Sequence, residues 1–227
     1  MPDALTLPPQ QALVAGEWVN TTTTLQVEAP ASGEPLTRIA RCQIGDVEAA
    51  VQAARRAFSG QLGEWARWSA RQRSEWLLRF ANIIEAHHEQ LAQLECADTG
   101  KPLTQARGDI GACARYFRFY GGAADKLHGE TIPFETDFAV MTLREPYGVC
   151  AQIIPWNYPS QIFGRCVAAA LAAGNTVVLK PAEDACLSVL RLAQLAVDHG
   201  LPAGALNVVP GLGAEAGAAL AAHPNID

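Results

Sequence analysis

Apolar and polar positions change rhythm twice along the chain. From about residue 46 to 126 the period is helical. Asp46 stands where it can cap a helix running through Ala57. Ser69 and Gln72 form an S-x-x-Q capping box. Behind it Leu77, Phe80, Ile84, Leu91 and Leu94 recur at helical spacing until Gly100 and Pro102 close the run. A further helix is predicted over Leu103 to Tyr120, ahead of a break at Gly121-Gly122. Thr21 to Thr24 reads as a turn with extended flanks. Between Thr131 and Thr142 apolar and polar residues partly alternate around Pro133 and Glu135, which predicts a short ribbon or surface hairpin.

From Gly148 the pattern is strand, helix, strand, helix, strand, helix. Short apolar runs at Val149 to Ile154, Thr176 to Lys180 and Leu206 to Val209 are separated by helical stretches at Ser160 to Ala173 and Ala185 to His199. A last helix is expected from about Ala214 to Ala222. Alternation of this kind predicts βαβ units and a parallel sheet covered on both faces. The fold expected is α/β: N-terminal helices, a partial Rossmann-like parallel sheet (βαβαβα) and a protruding β-ribbon. Ligands of such sheets bind beyond the carboxyl ends of the strands. The segments there are Pro155-Trp156-Asn157, Lys180-Pro181-Ala182-Glu183 and Pro210-Gly211-Leu212-Gly213, so three polar or glycine-bearing loops converge on one crevice. A sheet ending at Val209 would leave an edge strand open to association.

Composition narrows the function classes. Of 227 residues, 49% are hydrophobic, enough for a sizeable core. The net charge of −6, with charges interspersed, excludes a basic nucleic-acid surface. The longest apolar run, around Val167 to Ala173, is too short to span a membrane. The N-terminus lacks the basic and apolar segments of a secretory signal, so a cytoplasmic protein is expected. Six cysteines at 42, 96, 113, 150, 166 and 186 show no CxxC pair and no histidine at ligand spacing. That pattern predicts reduced, mostly buried thiols and no metal site.

Three segments offer chemistry. Gly211-x-Gly213-x-x-x-Gly217, after a strand and opening a helix, lets backbone approach a phosphate, or else serves close packing of helix on sheet. Lys180 and Glu183 are either ribose-hydroxyl ligands, in which case the carboxylate repels a 2′-phosphate and favours NAD over NADP, or a solvated strand-end lysine and a first-turn glutamate. Asn157, held between prolines and aromatics, is either an oxyanion donor or a turn asparagine bonded to its own backbone.

Ile154-Pro155-Trp156-Asn157-Tyr158-Pro159, then Ala170-Leu171-Ala172-Ala173-Gly174-Asn175, then Lys180-Pro181-Ala182-Glu183 resemble the aldehyde dehydrogenase superfamily, including the spacing from Asn157 to Lys180. Gly16-Glu17-Trp18-Val19, Pro30-Ala31-Ser32-Gly33-Glu34, Asp98-Thr99-Gly100-Lys101-Pro102, Leu201-Pro202-Ala203-Gly204 and Asn207-Val208-Val209-Pro210-Gly211 resemble segments found there in the same order. The resemblance implies NAD(P)-dependent oxidation of an aldehyde through a cysteine thiolate and a glutamate-activated water. It implies that Asn157 is the oxyanion donor, that Lys180 and Glu183 bind the adenosine ribose, and that Ile153, Trp156, Gly213 and Gly217 line the cofactor cleft.

It also divides the chain into an N-terminal helical part of the cofactor domain (1–127), an oligomerisation ribbon (128–147) and a nucleotide-binding half (148–227). A homo-oligomer is therefore expected. In the family, His223 to Asp227 would lead into a further strand, a nicotinamide loop, the general-base glutamate and the nucleophilic cysteine. The chain is thus expected to lack a catalytic domain and to be inactive alone. The other reading is a non-catalytic nucleotide-binding or assembly module that pairs with a separate catalytic half.

Overall fold

The computed structural model describes residues 5–227. Two hairpins come first, β1 (Ala12–Val14) with β2 (Glu17–Val19) and β3 (Thr24–Glu28) with β4 (Pro35–Ala40). The second begins in the extended flank expected after the threonine turn. The first turns on Ala15 and Gly16, whose φ values of 55° and 85° give the twist a two-residue hairpin turn needs. Four helices follow: α1 (Ile44–Phe58), α2 (Ala70–Ala86), α3 (His88–Thr99) and α4 (Leu103–Ala123). The predicted ribbon is β5 (Thr131–Ile132) paired antiparallel with β6 (Val140–Met141). The alternating part is β7 (Val149–Ile153), α5 (Pro159–Ala172), β8 (Thr176–Lys180), α6 (Leu187–Asp198) and β9 (Leu206–Val208). A wide turn at Gly213–Gly217 then leads into α7 (Ala218–Ala221).

Several local expectations need correction. Gln43, not Asp46, caps α1, and Asp46 accepts the Gln43 backbone N–H at 2.7 Å from inside the first turn. The run from Ser69 to Gly100 is two helices, broken at His87, whose ring Nδ1 lies 2.9 Å from the Ile83 carbonyl. α4 passes through Gly121 instead of ending before it. A Cβ there would come within 3.1 Å of Leu77 and Leu78, so this glycine is a helix-packing contact with α2. The last predicted helix is mostly the wide turn, with four residues of α-helix after it.

The main sheet runs β2-β1-β9-β8-β7, with β7, β8 and β9 parallel and β1 antiparallel to β9 at Leu13 and Val208. The open edge expected at β9 is therefore covered by the N-terminal hairpin. Asn207 fastens it: buried in β9, its side chain accepts the Ala15 N–H at 2.9 Å and donates to the carbonyls of Gly204 at 3.0 Å and Val177 at 3.3 Å.

Every residue of β8 is buried, as a strand covered on both faces must be. Val178 packs with α1 and α7 through Val47, Val51 and Leu220. Val177 and Leu179 belong to the larger core with α5, α6 and, behind them, α2 to α4. An aromatic series crosses that core. Trp76 stacks on Phe80 at 4.8 Å between centroids, and Phe80 meets Phe117 edge-on at 4.9 Å.

Candidate functional site

Parallel pairing sets the carboxyl ends of β7 and β8 level, because Ile153 stands opposite Lys180 and the Ile154 N–H donates to the Lys180 carbonyl at 3.1 Å. Beyond those ends, Lys180, Glu183, Gly213 and Gly217 come together. The Lys180 ammonium pairs with one oxygen of Glu183, while the other oxygen accepts the Gly213 N–H at 3.0 Å. Lys180 is only 2% exposed, which rules out the solvated strand-end lysine. Burial works to raise the Glu183 pKa, but the hydrogen bonds from Lys180 and Gly213 outweigh it and keep the carboxyl below its ordinary range. A Cβ on Gly217 would sit 4.0 Å from the Lys180 side chain, in ordinary contact.

The glycines do not share one role. A Cβ on Gly211 would lie 3.0 Å from the Cys42 carbonyl and from the Ala216 Cβ, so Gly211 serves packing. Gly213 and Gly217 face the cluster instead. The turn they bound is anchored by Glu215, which accepts Arg41 Nε at 2.9 Å and Gln43 Nε2 at 2.7 Å. The Arg41 and Gln43 hydrogen bonds hold the Glu215 pKa down to about 2.

The loop after β7 carries Trp156 and Asn157, both exposed, and Ile153 is half exposed at its base. Thr99, Lys101, Gln105, Trp156, Asn157 and Tyr158 line a cleft of about 260 Å³. Among the described residues the Asn157 side chain makes no hydrogen bond to protein, so it is not the turn asparagine bonded to its own backbone. The Asn157 backbone carbonyl, by contrast, accepts Lys101 Nζ at 3.0 Å.

Sequence reasoning passed over the residues beneath these loops. Glu95 and Asp98 of α3 are fully buried, three residues apart. Glu95 accepts the N–H of Ser160 at 3.1 Å at the start of α5, and Asp98 accepts the N–H of Leu187 at 2.7 Å at the start of α6. Both helices that follow the site loops are thus capped from one neighbour, with carboxylates at the positive ends of their dipoles. Burial raises the Asp98 pKa to about 7, with Glu95 adding to the effect and the backbone N–H groups opposing it. The signal was present: Leu91, Glu95 and Asp98 fall at i, i+4 and i+7, which puts two acids on the apolar stripe of a helix.

Cys42, Cys113 and Cys186 are buried, whereas Cys96, Cys150 and Cys166 are partly exposed, so burial is less complete than expected. All six are free. Burial pushes Cys42 up to about 12 and also raises Cys113, Cys150 and Cys186. No group of three or more His, Cys, Asp or Glu able to hold a metal occurs among the described residues. No helix among them is long and apolar enough to cross a membrane.

This arrangement is matched in known proteins. The aldehyde dehydrogenase family profile matches residues 18–227. Aldehyde dehydrogenase family 2 member B4, mitochondrial, of Arabidopsis thaliana is 46% identical over 220 residues, covering 96% of this chain and 40% of that protein. Benzaldehyde dehydrogenase, mitochondrial, of Antirrhinum majus is 45% identical over 218 residues, covering 95% and 40% respectively. The NAD+ complex of an aldehyde dehydrogenase from Bacillus cereus superposes with a TM-score of 0.92 at 42% identity, covering 96% of this chain and 44% of that one. The match is to the N-terminal portion, so the chain spans well under half the length of these relatives. The profile match over most of the chain and the identity to these relatives show that the chain belongs to the aldehyde dehydrogenase family.

Proposed function

We propose that this chain is the NAD-binding, N-terminal part of an NAD-dependent aldehyde dehydrogenase, which oxidises an aldehyde to a carboxylic acid. The observation that supports it most is the linked set Lys180, Glu183 and Gly213 opening at the same sheet edge as Trp156 and Asn157. The set fits an adenosine ribose. Glu183 presents a partly exposed carboxylate to a hydroxyl, and Lys180 behind it fixes that carboxylate's position and charge. The same negative charge repels a 2′-phosphate, which favours NAD over NADP. Ile153 and Trp156 supply exposed apolar walls. Bound NAD+ supplies the hydride acceptor. Asn157 donates from its side-chain amide to the aldehyde oxygen as negative charge grows there.

The nucleophilic thiolate and the general base belong, in this reading, to the portion of the relatives' length that the chain does not span. The thiols present are poor substitutes, because burial disfavours the thiolate at Cys42, Cys113, Cys150 and Cys186. Cys166 lies inside α5, and Cys96, inside α3, donates its S–H to the Lys101 carbonyl at 3.0 Å. The ribbon at 128–147 makes the subunit contacts of a homo-oligomer. Six free thiols favour the cytoplasm, and cell fractionation decides between it and the mitochondrion named for the two plant relatives.

Fusing the chain in frame to the second half of the Bacillus cereus relative tests the assignment. The fusion should form NADH from an aldehyde, whereas the chain alone should form none and should bind NAD only weakly by calorimetry. NADH formation by the isolated chain refutes the division of labour. A fusion that folds and binds NAD yet turns nothing over favours a non-catalytic nucleotide-binding module.

A further inference from the structure

Lys101, at the junction of α3 and α4, is a buried ammonium beneath the loop that bears Asn157. Its Nζ donates to Glu95 at 2.9 Å, to Asp109 at 2.8 Å and to the Asn157 carbonyl at 3.0 Å, and it stands 5.0 Å from the centroid of the Tyr158 ring. Burial works to lower the Lys101 pKa, but Asp109 and Glu95 outweigh it and hold the ammonium above its ordinary value. The second oxygen of Glu95 accepts the Ser160 N–H at 3.1 Å. Residues 157–160 are therefore gripped at the Asn157 carbonyl, at the Tyr158 ring and at the Ser160 amide. Among the described residues the Asn157 side chain is left without a protein partner.

A fixed backbone with a free amide is what a preorganised oxyanion donor requires, because a donor that need not reorganise gives its full effect in the transition state. A lysine present only to neutralise Glu95 and Asp109 has no need of a third bond to an exposed loop 56 residues away. We propose that Lys101 is a positioning residue for Asn157, setting the loop from below through its carbonyl. The proposal rests on the oxyanion role assigned to Asn157 above.

Two experiments separate it from that role. In the chain itself, backbone ¹⁵N order parameters at Trp156 to Tyr158 should be near the rigid value of about 0.85 and fall toward about 0.6 in Lys101→Met, with partial recovery in Lys101→Arg. Unchanged loop order overturns the proposal whatever Asn157 does. In the fused enzyme, Lys101→Met should lower kcat by about 10–100-fold, with KM for aldehyde within about twofold. Added to Asn157→Ala, it should lower kcat by no more than about a further twofold, because the residue it positions is already gone. A full additive loss, or equal effects on kcat and KM, marks a merely structural lysine and overturns the proposal. An Asn157→Ala enzyme with unchanged kcat removes the oxyanion role, and the catalytic part of this proposal with it; the loop-order result is unaffected. If Lys101→Met does not fold, Lys101→Met/Glu95→Gln/Asp109→Asn leaves no unpaired buried charge and carries both measurements with the same expected results.

Discussion

The Glu183 carboxylate accepts the Gly213 N–H at 3.0 Å across 30 residues of sequence, which ties the loop after β8 to the loop after β9. One side chain therefore places a carboxylate at the sheet edge and spans two of the loops there. In the fused enzyme, Glu183→Gln should preserve the acceptor for Gly213 but remove the negative charge proposed above to disfavour a 2′-phosphate. The ratio of kcat/KM for NAD over NADP should then drop by about tenfold or more, with a smaller loss in kcat/KM for NAD itself. Initial rates with both nucleotides provide the check. An unchanged ratio moves nucleotide discrimination away from Glu183.

Two glycines should respond oppositely to alanine. Gly164 in α5 lies against α4, where a Cβ would stand 2.9 Å from the Cys113 Cα and 3.0 Å from its carbonyl oxygen, both backbone atoms that cannot swing aside. Gly164→Ala should destabilise by about 1–3 kcal/mol through overpacking. Gly108, exposed within α4, has nothing within 4 Å of the same position, so Gly108→Ala should stabilise by about 0.5–1 kcal/mol. Urea unfolding of the two variants compares them directly. Equal effects would mean that α4 and α5 do not approach as closely as described.

Much of this was open to reading in the sequence, for identifiable reasons. β8 was placed to the residue because Asn175 and Pro181 bracket an apolar run too short for a helix. Lys180 and Glu183 were singled out by position at a strand end, and their pairing follows from burial that spacing alone does not reveal. The N-terminal hairpins were legible only as the extended flanks of a threonine turn because their strands are short and partly exposed, and β1 holds its place through Asn207, almost two hundred residues away in sequence. The Lys101, Glu95 and Asp109 cluster was missed for a related reason. Glu95 is marked in the sequence by its place on an apolar stripe, but Lys101 and Asp109 look solvated there and are buried only in the folded cluster.

Stability should fall in alkali. An unfolded thiol ionises near pH 8.5, whereas burial pushes Cys42 up to about 12 and raises Cys113 and Cys186 as well. Above pH 8.5 the folded state therefore binds more protons than the unfolded chain. The stabilisation is complete below that pH and is lost as pH rises, by about 1.4 kcal/mol per pH unit for each such thiol, for Cys42 until about pH 12. Urea midpoints measured from pH 7 to 10.5 should decline above pH 8.5, with a shallower decline in Cys42→Ala. Parallel declines would assign the effect to other groups.

Phe134 and Phe138 are 66% and 64% exposed, with ring centroids 5.8 Å apart, and Met141, Leu143 and Tyr147 beside them are also largely exposed. β5 and β6 are two residues each, too little pairing to hold five large apolar side chains in water without another surface to cover them. Phe134→Ser/Phe138→Ser removes apolar area from that surface and nothing from either core. It should leave the unfolding free energy within about 0.5 kcal/mol of the parent, because exposed positions away from packing respond weakly. Sedimentation velocity should show concentration-dependent association of the parent chain and a monomer for the variant. If the variant associates as the parent does, the subunit contacts lie elsewhere and the ribbon is only a surface hairpin.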